Sequence, residues 1–166
     1  MNEEYFWKII EESKVTPLDS KKGRLTKLKA ILSGLTTAEV VAFHKFFQQV
    51  YRNAYSWDLW SAAQILYGGC SDDSFTDFRY GLIASGREKY LEALQNPDSL
   101  ADWVELETID FELFGYVAVK IYQERTGETE WPKVDVERRK ISGKKWAENG
   151  EDLPQRFPKM WAKFGS

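Results

Sequence analysis

Between Thr36 and Ala54 the apolar residues recur every three or four positions, at Val40, Phe43, Phe47, Val50, Tyr51 and Ala54. That period fits the 3.6-residue turn of an α-helix and not the two-residue alternation of a strand. Thr36 or Thr37 caps this helix, and Thr36 has capping-box spacing to Glu39, in which hydroxyl and carboxylate satisfy each other's free backbone N–H groups. The same period runs through most of the chain. Phe6, Trp7, Ile9 and Ile10 form a first stripe behind an acidic start that complements a helix dipole. Leu25, Leu28, Ile31, Leu32 and Leu35 form a second, set off by Pro17, capped by Asp19 or Ser20 and closed at Gly34. Ser56 precedes a helix carrying Leu59, Ala62, Ala63 and Ile65 or Leu66, and Gly68-Gly69 ends it. Ser71 opens the next, with Phe75, Phe78, Leu82 and Ile83 inward, and Gly86 separates it from a helix over 87–95. Residues 96–99 read as a turn followed by a new cap. Over 109–125, Phe111, Leu113, Tyr116, Val117, Ile121 and Tyr122 give a helical stripe, although 117–122 alone reads as a strand. The length of the stretch favours one helix, closed by Thr126-Gly127.

The expected fold is therefore all-α: a single compact multi-helix domain over 1–166, with a helical core over 1–127. At 166 residues such a domain buries a sizeable core without metal or disulfide staples. From 128 to 166 neither period persists; the segment holds three of the five prolines together with Trp131, Trp146 and Trp161. An irregular wrap anchored by tryptophans is predicted there, with Phe157, Met160, Trp161 and Phe164 on a closing turn of helix after Pro158. Aromatic residues make up 15% of the chain, more than a small core needs, so some are expected on a groove or partner surface.

Net charge is −3, which argues against general binding to nucleic acid or membranes. Residues 133–145 are a local exception, with Lys133, Arg138, Arg139, Lys140, Lys144 and Lys145 against Asp135 and Glu137. They read first as a solvated connection and second as a phosphate-facing patch. The single cysteine forbids an internal disulfide, the N-terminus lacks a basic then apolar leader, and no apolar run reaches the ~20 residues of a membrane span. Cytoplasmic residence is the expectation.

Chemistry-bearing residues crowd the junction from Tyr67 to Gly86. Arg79 follows Phe75 by four positions and precedes Leu82 by three, so a cation shares the apolar face. It admits two readings: a buried ion pair with Asp58, Asp72, Asp73 or Asp77, or an arginine that grips an anion. Asp72 and Asp73 suit a helix N-terminus better than a metal or acid/base pair, because adjacent helical side chains diverge. Asp58 with Asp72 would make a better pair if the fold joined them. His44, the sole histidine, reads as half-buried at the edge of a stripe, and no nucleophile-elbow motif accompanies it. Cys70 reads as an inert small residue, and Gly68-Gly69 lacks the lysine and spacing of a phosphate loop. Trp57, Trp60, Tyr67 and Tyr80, with Phe75 inward, form the candidate contact surface. No catalytic residue, metal or cofactor is predicted.

The chain resembles a bacterial family of unknown function, number 4240 among the domains of unknown function. The matching residues are Phe6-Trp7, Ile10, Ala54-Tyr55, Asp58-Leu59-Trp60, Ala62-Ala63, Gly68-Gly69-Cys70-Ser71-Asp72-Asp73, Phe75, Phe78-Arg79, Leu82-Ile83, Gly86, Tyr90 and 96–100, with Pro158-Lys159, Trp161 and Phe164 late in the chain. The resemblance implies a small cytoplasmic protein and transfers no activity, cofactor or catalytic residue. From acidity and excess tryptophan the expected role is a non-catalytic protein-binding or regulatory module, in one form an immunity- or antitoxin-like partner. The alternative is a small-anion binder or enzyme using Arg79 with Asp58, Asp72 or Asp73.

Overall fold

A computed structural model describes residues 1–14 and 20–166; the Pro17 break and the Asp19 cap fall outside them. The chain forms α1 Glu3–Glu12, α2 Lys21–Ser33, α3 Thr37–Asn53, α4 Trp57–Tyr67, α5 Asp72–Ala84 and α6 Arg87–Gln95. Then come a 3-10 helix at Pro97–Asp102, α7 Leu106–Ile109, a second 3-10 helix at Glu112–Tyr116 and α8 Val117–Thr126. A long irregular stretch leads to α9 Leu153–Arg156 and α10 Pro158–Phe164. No strand is present among the described residues, and the fold is all-α.

The caps sit where the sequence places them. Ser20, Ser56 and Ser71 each accept a hydrogen bond from the backbone N–H three residues on, and Thr36 with Glu39 closes a full capping box. Gly68 ends α4 at φ 66°, a left-handed conformation that glycine adopts without a Cβ clash. The core gathers around α3, which packs against α1, α5 and α8. Phe6 meets Phe43 at 5.0 Å between ring centres, and Phe47 meets Tyr80 at 5.4 Å. The buried Tyr90 hydroxyl donates to the Val50 carbonyl at 2.7 Å, tying α6 to α3.

The expected single helix over 109–125 is instead broken. The chain leaves α7 at Asp110, Phe111 donates its backbone N–H to the Asp77 carbonyl on α5, and a 3-10 turn intervenes before α8. Two close approaches force this path. A Cβ on Gly81 would lie 1.7 Å from the Ile109 carbonyl oxygen, and one on Gly115 would lie 2.4 Å from the Tyr80 ring. A helix continued from Ile109 could not bring both backbones onto α5. Leu113 consequently turns out to solvent instead of joining the stripe. Residues 96–99, read as a turn, start the first 3-10 helix, with the Ser99 hydroxyl donating to the Asn96 carbonyl.

The C-terminal segment wraps the helical body as a largely irregular strap. Its first tryptophan, Trp131, sets its ring edge-on to His44 (5.8 Å) and Tyr116 (5.3 Å). Ser142 forms an isolated bridge with Ser56, and its carbonyl accepts from Trp57 N–H at 2.8 Å. At the far end the buried Asp98 carboxylate accepts from the backbone N–H groups of Lys159 (3.1 Å) and Met160 (2.8 Å), capping α10 from another element. Met160 is fully buried, as the closing-turn expectation requires.

Candidate anion cleft

The end of α3 and the start of α5 face one another across an open cleft of about 510 Å³. Tyr51 and Arg52 come from the last turn of α3, and Tyr55 from just beyond it. Asp72, Thr76 and Arg79 lie on successive turns of α5, so a single face of that helix presents all three. Arg138 and Arg139, carried by the C-terminal strap, complete the lining.

Arg79 forms the floor and is only 5% exposed. Its guanidinium carbon stands 3.9 Å from the Tyr51 ring centre, 4.4 Å from Phe75 and 5.0 Å from Tyr55. Its nitrogens donate to the Tyr51 hydroxyl (2.8 Å), the Tyr51 carbonyl (3.4 Å) and the Phe75 carbonyl (3.4 Å). The expected ion pair is absent: among the described residues Arg79 pairs with none of Asp58, Asp72, Asp73 or Asp77. Ring faces and carbonyl dipoles take the place of a carboxylate, a route open to the weakly hydrated, planar guanidinium. Burial lowers the Arg79 pKa from its ordinary value, offset by Tyr51, Tyr55, Tyr80 and Asp72.

The acidic residues disperse. Asp58 reaches Arg156 on α9 at 2.9 Å, so it secures the wrap and does not join Asp72. Asp72 and Asp73 are exposed in the first turn of α5 behind the Ser71 cap, Asp72 at the cleft rim. Asp77 lies beside Glu112 and Asp110, and burial together with these like charges raises its pKa to about 6. No group of histidine, cysteine and carboxylate side chains suited to a metal occurs among the described residues.

The proposed contact surface is largely engaged by the chain itself. Trp57 stacks on Trp60 at 5.1 Å, and Trp60 on Phe75 at 4.8 Å. Trp146 from the strap stands edge-on to Trp57 and Trp60, with the Lys145 ammonium 5.3 Å from the Trp57 ring centre. The Trp60 indole N–H donates to the Cys70 carbonyl at 2.9 Å. Tyr80 is a core residue, 4% exposed, because it fills the space beneath Gly115 between α3 and the second 3-10 helix. Tyr67 is half-buried, and burial followed by Asp110 raises its pKa. His44 lies deeper than its edge position suggested, 2% exposed under Trp131, and burial lowers its pKa to about 4. Burial likewise pushes the Cys70 thiol up to about 12, consistent with an inert residue.

Sequence reasoning singled out Arg79 and Asp72 but missed Tyr51, Arg52 and Thr76, whose convergence is tertiary. Arg138 and Arg139 carried a signal, the local excess of positive charge, without an address. Against known proteins, residues 1–124 match the family described as protein of unknown function (DUF4240), and the chain belongs to that family. The matched part stops within α8, so the late residues Pro158-Lys159, Trp161 and Phe164 and the strap arginines lie beyond it. No curated protein and no solved structure matches the chain.

Proposed function

We propose that this member of the DUF4240 family is a non-catalytic binding module whose ligand is a small anion held in the cleft between α3 and α5. The observation that carries the reading is the convergence of four guanidinium groups, on Arg52, Arg79, Arg138 and Arg139, with Asp72 in the lining and Glu137 paired to Arg139 at 3.6 Å beside it, in an otherwise acidic protein. Like charges gathered in one concavity repel each other, and a bound anion relieves that repulsion. Arginine offers planar, paired N–H donors that match carboxylate and phosphate oxygens. The Trp57–Trp60 stack, the other candidate surface, is occupied by the strap and supports a partner protein less well.

The test is calorimetric titration with inorganic phosphate and pyrophosphate at low ionic strength. Binding should be saturable, fall as salt rises, weaken about tenfold in Arg52→Gln and tighten in Asp72→Asn, which removes the carboxylate of the lining. Absence of saturable binding to either anion, or affinities indifferent to both substitutions, would refute the proposal.

A further inference from the structure

On a surface that shares no lining residue with the cleft, we propose that the ridge of Leu25 and Leu113 is a two-fold interface between copies of this chain. Each copy's acidic hollow there receives the other's lysines. The break at 110–116 creates the ridge. It leaves Leu113 51% exposed, more than any other large apolar side chain among the described residues, beside the half-buried Leu25 of α2. A shallow hollow opens on either side. One, of about 230 Å³, is lined by Thr26 and Lys29 of α2 and by Val117 and Lys120 of α8. The other, of about 210 Å³, holds Asp77, Asp110 and Glu112 with Lys21 and Phe111. Leu25 and Leu113 line both hollows, so these two side chains are their common wall.

The two sides carry opposite charge with every neighbour counted. Glu124 lies 3.6 Å from Lys29, so one hollow keeps a single uncompensated lysine, Lys120. In the other, three carboxylates face Lys21, whose ammonium donates to the Asp110 carbonyl, and Asp73 adds to the negative field at Asp77. Lys120 and Glu112 are both exposed, and neither has an ion-pair partner among the described residues. A two-fold axis running along the wall lays each hollow over the opposite hollow of a second copy. Leucine then meets leucine at the axis, and Lys120 of each copy comes over the hollow that holds Glu112 of the other. An isologous interface needs this self-complementarity, with apolar contact on the axis and unlike charge to either side. An unrelated partner would have to match both signs in the same register; a second copy does so through the symmetry itself.

The experiment is sedimentation velocity on the full chain at low ionic strength, from about 1 μM to about 1 mM. A reversible monomer–dimer equilibrium should appear, with a midpoint of about 10–100 μM that rises with salt. Leu113→Asp should stay monomeric throughout, with the parent's melting temperature because the side chain is exposed. Lys120→Glu and Glu112→Lys should each weaken the dimer about tenfold or more, since each sets like charges together on both flanks. An equimolar mixture of those two variants should dimerise again, because both flanks of the mixed pair then join opposite charges. A parent that is monomeric up to about 1 mM overturns the inference and leaves the ridge to another partner. A dimer that survives Leu113→Asp, or a mixture no stronger than either variant alone, overturns it too. Anion binding in the cleft uses none of these residues and stands or falls separately.

Discussion

At the scale of single residues, Arg79 replaces the expected ion pair with an aromatic slot. Arg79→Met keeps a similar shape but removes the charge that faces Tyr51 and Phe75 and the donors to three oxygens. It should cost about 2–4 kcal/mol in urea unfolding, and Arg79→Lys should recover little, since an ammonium cannot stack flat and bond sideways together. Two titrating groups act oppositely in the same pH range. His44, with a folded pKa near 4 against an unfolded 6.5, is neutral when buried; its stabilisation is complete above pH 6.5 and lost as pH falls through 4. The loss approaches about 3 kcal/mol at the acid end. Asp77, raised to about 6 from 3.8, contributes stability that is complete below 3.8 and lost as pH rises through 6. Between pH 4 and 6 the two slopes offset. Denaturant midpoints should thus rise on acidification across that range in His44→Leu and fall more steeply than the parent in Asp77→Asn; parallel curves for all three proteins would refute both assignments.

Among the elements, local signals were legible where one helix decided its own ends. Ser20, Thr36–Glu39, Ser56 and Ser71 all cap as their side chains dictate, because capping is a contact between near neighbours in sequence. Legibility failed where another element decided. The break at 110–116 answers to α5, against which Ile109 and Gly115 press. Asp98 looked like part of a turn, yet it caps a helix some sixty residues later. Arg79 illustrates both sides: periodicity put a cation on a buried face, while its true partners required knowing that Tyr51 lies across from it. Gly81→Ala tests the first point. Its methyl group would collide with fixed Ile109 backbone, not with a side chain that can turn aside, so the loss should reach about 3 kcal/mol or more in thermal or urea unfolding. A neutral result would mean that α7 can retreat from α5. Asp98→Ala should cost about 1–2 kcal/mol, with the loss read as earlier proteolysis near α10.

For the molecule as a whole, the question is whether the strap is a cover or a part of the core. Residues 1–124 match the family and contain every helix from α1 through most of α8, which suggests a body able to stand without the strap. The contacts argue otherwise. A ladder of stacked groups runs from Lys145 over Trp57 to Trp60 and Phe75, and ends on the Arg79 guanidinium. The strap thus touches one end of the stack whose other end floors the cleft, and Trp146 closes its flank. Asp98 and Met160 bind the last helix to the same body. Such contacts make the wrap cooperative with the core, so thermal unfolding followed by tryptophan emission and by far-ultraviolet circular dichroism should trace one coincident transition. Trp146→Ala should lower that transition by about 2–3 kcal/mol, less than a fully buried tryptophan costs because the ring is half-exposed, and should shift emission of the Trp57–Trp60 stack to the red. An early emission change while helical signal persists would instead mark the strap as a separable flap, and would place Arg138 and Arg139 of the cleft on an element that comes and goes.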